Sequence, residues 1–94
     1  MGRLEEGLKP RDMEELDLCH NVDRFAIAMK EKLIRKAREG FRGWNHGHNK
    51  IRLRQHFKDH LYRYLTGDDA RPIMLIDIAN FAFFLWYHSK DDES

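Results

Sequence analysis

Residues 73–87 read Ile-Met-Leu-Ile-Asp-Ile-Ala-Asn-Phe-Ala-Phe-Phe-Leu-Trp-Tyr, an apolar run broken only by Asp77 and Asn80. A helix of this composition has no solvent face and has to be covered from several sides. Asp77 and Asn80 stand three apart and share one side of that helix. A carboxylate among Ile, Phe and Trp is costly to bury unless something pairs with it. The available partners are a metal ion, an Arg or Lys, or a backbone group. Asp77 is therefore the first candidate for chemistry. The run is about 15 residues against the roughly 20 that a bilayer requires, and it contains Asp77, so it predicts no membrane span.

The rest of the chain is patterned to provide that cover. Leu18, Val22, Phe25, Met29 and Leu33, with Ala26, follow a helical spacing and predict a first helix over about 11–39, ended by Gly40. Acids lead it and bases close it, in the order the helix dipole favours. Residues 40–49 form a glycine-punctuated loop. Asn49 is placed to cap a second helix over about 50–66, with Leu53, Phe57, Leu61, Tyr64 and Leu65 as its stripe and Gly67 at its end. Asp68 and Asp69 favour the start of a third helix with Pro72 in its first turn, running to about residue 89. No strand alternation or repeat is present. The reading is an all-α, three-helix chain in one domain over 11–90, with a flexible leader at 1–10 and an acidic tail at 91–94.

Six Phe, two Trp and three Tyr in 94 residues, many of them crowded into 81–87, exceed what one small bundle hides. This predicts a homo-oligomer in which the chain completes a larger helical bundle. The lone Cys19 excludes an internal disulfide framework and fits a reducing cytoplasm. The charged N-terminus without an apolar core predicts no signal peptide.

Net charge is +1, but unevenly placed. Residues 30–64 hold eleven Lys or Arg against three acids, a balance of +8, and the flanks hold six against thirteen, a balance of −7. Such a block is either two solvated helix faces or a surface for phosphate-bearing ligands, nucleotide or nucleic acid. Arg35, Arg38, Arg42, Lys50, Arg54 and Lys58 are its candidate phosphate contacts. Trp44 is either a plug closing the bundle end or a platform for a base.

His56, Asp59 and His60 fall on one helical turn, a spacing able to grip a metal ion, although the Glu of a zinc-protease motif is missing. If helices two and three are antiparallel neighbours, this turn approaches Asp77, and a hard divalent ion between Asp59 and Asp77 becomes possible. No phosphate-cradling Gly-rich loop and no nucleophile elbow is present. Cys19 reads as an inert packed thiol.

Lys32-Leu33, Gly43-Trp44, Leu53 with Phe57 and Leu61, and above all Asp77-Ile78-Ala79-Asn80-Phe81-Ala82 resemble the MazG-like all-α nucleotide pyrophosphohydrolases in their short phage and prokaryotic form. The resemblance covers about residues 22–88. It implies hydrolysis of nucleoside triphosphates with Mg²⁺ or Mn²⁺ held by paired carboxylates, in dimers or tetramers located in the cytoplasm, that of the host for a phage protein. The carboxylate pattern departs from the family's. Asp77 matches, but Met74 stands three residues earlier where a Glu is expected, and 59–63 reads Asp-His-Leu-Tyr-Arg.

Two nucleotide-directed readings follow. One is a divergent hydrolase with Asp59 and Asp77 as metal ligands, His56 or His60 as ligand or base, and Asn80 completing a reduced centre. The other is a catalytically silent nucleotide binder, with Asp77 paired to Arg54 or Lys58. The alternative class is a small helical protein that docks on nucleic acid or a protein partner through the basic block.

Overall fold

The computed structural model of the chain describes residues 9–92. Three helices form, α1 (Pro10–Arg38), α2 (Lys50–Leu65) and α3 (Pro72–Asp92), with a single 3₁₀ turn at Gly47–Asn49 before α2. No strand occurs among the described residues, as the sequence pattern requires. The leader assigned to 1–10 and the tail at 91–94 fall largely outside them, although the backbone of α1 already begins at Pro10 and that of α3 reaches Asp92.

The helix ends follow local chemistry. Gly40 takes φ +102°, a left-handed value open to glycine, so that its N–H reaches Ala37 O (3.1 Å) and Phe41 N–H reaches Lys36 O (3.0 Å). These two bonds satisfy carbonyls that the last turn of α1 would leave open. Gly67 ends α2 in the same way at φ +80°. Asn49 occupies the cap position of α2, but its side chain makes no cap bond. Its Nδ2 instead donates to Gly43 O at 2.6 Å and ties the two ends of the loop together.

Before α3, Asp69 accepts two bonds from the Arg71 guanidinium, from Nε and Nη2, both at 2.8 Å. These bonds hold the Asp69 carboxyl at about 2, below its ordinary 3.8, and raise Arg71.

Helix α3 is the centre of the fold. It packs most extensively on α2, less on α1, and α1 and α2 scarcely meet. Lys32 meets Asp77 and Met29 meets Asn80, so α1 and α3 run antiparallel where they cross. His56 and His60 of α2 lie against Phe81. The loop before α2 lays Trp44 on the C-terminal half of α3, with ring centroids 5.5 Å from Phe83, 5.2 Å from Phe84 and 4.9 Å from Tyr87. Trp44 is thus the plug rather than an open stacking platform. Met74, at the position where a Glu was expected, is a core residue 3% exposed.

The predicted α1 stripe is only half covered. Met29 and Leu33 are half-buried, whereas Leu18, Val22 and Phe25 are exposed. The reason is length. Twenty-nine helical residues span about 43 Å, and α3 crosses only the C-terminal part. On α2, Leu65 also points outward, while Leu53, Phe57, Leu61 and Tyr64 face inward as patterned. The radius of gyration is 17.4 Å, against about 12 Å for a compact domain of this length.

Two outcomes test this description. Trp44→Ala removes the plug and lowers stability by about 3 kcal/mol in urea unfolding, whereas exposed Tyr62→Ala changes it by less than about 0.5. Because Asp69 binds its proton less well folded than unfolded, its contribution is present above pH 3.8 and is lost as pH falls through about 2. Arg71→Ala returns the Asp69 carboxyl to the ordinary carboxylate range, read by carboxyl NMR titration.

Candidate functional site

The polar side chains of α3 sit where other elements supply partners. Asp77 pairs with Lys32 of α1, Nζ to Oδ1 3.2 Å, with side chains only 15% and 20% exposed for Lys32 and Asp77. Of the cations, the sequence pattern points to Arg54 or Lys58 for this role. Both are on exposed positions of α2, and Lys32 takes it because α1 crosses α3 at this turn. Arg71 is close enough to Asp77 to feel its charge.

One turn later, Asn80 is 5% exposed, and its Nδ2 donates to Met29 O at 3.4 Å, a long bond. Its Oδ1 is buried without a hydrogen-bond partner among the described residues. Such an oxygen costs about 1–3 kcal/mol of lost hydration. Lys32, Asp77 and Asn80 therefore form a donor, an acceptor and an unfilled acceptor at the crossing of α1 and α3.

His88 was not singled out in the sequence, yet it is 3% exposed and holds the loop. A carbonyl can only accept, so the 2.7 Å contact of His88 Nε2 with Trp44 O places the proton on Nε2. The available signal was its place eleven residues after Asp77, three helical turns along the same line.

The other candidates do not join this site. His60 donates from Nδ1 to His56 O at 2.8 Å, and both rings lie on Phe81, with centroids 4.9 Å away for His60 and 5.8 Å for His56. The histidine turn does approach the middle of α3, as antiparallel neighbours require, but it meets an aromatic ring. Asp59 points to solvent and pairs with Arg63, Nη1 to Oδ2 3.8 Å. Among the described residues, no group of three or more His, Cys, Asp or Glu side chains is placed to hold a metal ion.

The donor set at Asp77 does not fit a divalent cation either. One carboxylate already neutralised by an ammonium at 3.2 Å meets one amide oxygen, where Mg²⁺ asks for several oxygen ligands.

The basic candidates are also dispersed. Arg38, with Arg35 and Glu31, lines an open groove at the end of α1, while Lys58 lines another on the outer face of α2 with Asp59 and Tyr62. Arg42 is exposed in the loop, and Lys50 is half-buried at the start of α2.

Asp77→Asn strips the charge partner from a largely buried ammonium. It lowers stability by about 2 kcal/mol in a denaturant titration, and the loss is the same with and without Mg²⁺. Lys32→Met/Asp77→Leu, which removes both charges, recovers most of that loss. No protein-family model, curated protein or solved structure matches this chain.

Proposed function

We propose that the chain is a nucleotide-directed, MazG-like helical subunit that acts by binding nucleotide rather than by metal-assisted hydrolysis, and that it works as a homo-oligomer in the cytoplasm. The observation that carries the choice is the Lys32–Asp77 pair. It satisfies the one carboxylate retained in the Asp-Ile-Ala-Asn stretch with a side-chain cation. The orphaned Asn80 Oδ1 beside it supports a ligand that donates a hydrogen bond, as the amino or imino edge of a base does.

The thiol of Cys19 is exposed rather than packed as expected from the sequence, and a free thiol of this kind is compatible with the reducing cytoplasm proposed here. No helix among the described residues is long and apolar enough to cross a membrane.

The test is the melting temperature of the purified chain against a panel of nucleoside mono- and triphosphates, with and without Mg²⁺ or Mn²⁺, while pyrophosphate release is assayed. A ligand at ten times its Kd stabilises the fold by about 1.4 kcal/mol, a rise of about 6–10 °C for a domain of this size. The expected result is a rise that is independent of metal, with no pyrophosphate released. A metal-dependent rise with turnover would instead establish the hydrolase, and no rise with any nucleotide would remove both readings.

A second reading has its own observation. Arg52, Arg54 and Lys58 are exposed on α2 with no ion pair among the described residues. Binding of a nucleic acid there is expected to weaken steeply with salt, with a slope that falls by about one for each of these cations replaced by Ala.

A further inference from the structure

The N-terminal half of α1 is an apolar stripe that lacks its cover. Leu18, Val22 and Phe25 continue the line that Met29 and Leu33 begin, and where α3 covers the later pair it leaves the earlier three open. Val22 is 64% exposed. We propose that a second copy of this chain lies antiparallel on this half of α1, along a seam of Leu18, Val22 and Phe25. The proposal deepens the homo-oligomer part of the preceding reading and is independent of the nucleotide part.

Area argues for a cover of this size. The chain exposes 7,936 Å² at 11.3 kDa, about 2,200 Å² more than a compact monomer of its mass. If the ten residues outside 9–92 are granted the surface of a fully extended chain, an excess of about 900 Å² still remains. A stable interface of standard size buries about 800 Å² on each partner.

Charge argues that the cover is another copy of this chain, and sets its direction. In the first half of α1, residues 10–24, five acids (Asp12, Glu14, Glu15, Asp17, Asp23) outnumber two bases. In the second half, residues 25–38, five bases (Lys30, Lys32, Arg35, Lys36, Arg38) outnumber one acid. Two parallel copies would set like charge on like. Two antiparallel copies related by a two-fold axis near residues 21–22 set Leu18 of each beside Phe25 of the other and turn each acidic half toward a basic half, the self-complementary arrangement of an isologous interface. Phe25 lies one turn from Met29, whose carbonyl meets Asn80. The seam therefore ends at the Lys32, Asp77 and Asn80 site, and the partner's helix forms its outer wall.

Light scattering of the full chain at tens of micromolar, with far-UV circular dichroism as a check on helix content, tests the proposal. The wild type is expected at twice 11.3 kDa or a multiple of that. Val22→Asp is expected to fall to a smaller species, while His20→Asp, which puts the same charge on the opposite side of α1, keeps the wild-type mass. A wild type that runs as a single chain overturns the oligomer itself. An oligomer that survives Val22→Asp overturns only the seam.

If Val22→Asp loses helix content, spin labels on the single Cys19 of the wild type decide the matter. Antiparallel helices packed about 9 Å apart place two labels roughly 15–25 Å from each other. A separation beyond about 30 Å overturns the seam.

Discussion

A helix that is apolar around its whole circumference cannot rest on one neighbour, and α3 is such a helix. One face is taken by α2 and part of another by α1. The aromatic C-terminal half receives Trp44 from the loop. The demand of α3 for cover thus explains why the loop folds back over it, and why α1 and α2, which barely touch each other, are held in one structure. It also explains the low degree of closure. Three helices of 29, 16 and 21 residues do not surround one another completely, and large side chains such as Ile51, Leu65 and Trp86 stay exposed.

The polar residues of α3 give this greasy arrangement its register. Apolar contacts are non-directional and would tolerate α1 sliding along α3. An ion pair between Lys32 and Asp77 and a bond from Asn80 to Met29 O do not tolerate it, because a shift of one turn leaves both groups buried and unpaired. His88 does the same for the loop by donating to Trp44 O. Each of the three connects α3 to an element distant in sequence. The orphaned Asn80 Oδ1 is the exception, a buried cost that no contact among the described residues offsets.

Much of this was legible from residue order. The helical stripes, the glycine stops at Gly40 and Gly67, and the need of Asp77 for a partner are local signals that the structure follows. The plug role of Trp44 was one of two roles a bundle-end aromatic allows. What residue order did not carry is which distant group answers each local need. Lys32 lies 45 residues before Asp77 and looked like one of several solvated bases. His88 lies just past the apolar run, and only its spacing from Asp77 marks it. The exposed Leu18, Val22 and Phe25 carry the same spacing as the covered Met29 and Leu33, and the pattern records only that a stripe needs cover, without recording whose. The candidate metal centre failed to assemble for a related reason. Asp59 shares a turn with His56 and His60, but it points outward to Arg63, and the histidines meet Phe81 before they can reach Asp77.

Two constraints then converge on one place. The site of Lys32, Asp77 and Asn80 lies where α1 leaves α3, at the boundary between covered and open parts of the same apolar stripe. A helix end that overhangs its own core is held only by its internal bonds, whereas one that packs is held by burial. Cover on the open stripe would stiffen α1 at Phe25 and, through Met29, fix the carbonyl against which Asn80 is set. Assembly and ligand binding would then be linked. Under the proposed dimer, whatever orders α1 would prepare the site, whatever binds the site would favour the ordered α1, and the stability of the fold would depend on the concentration of the chain itself.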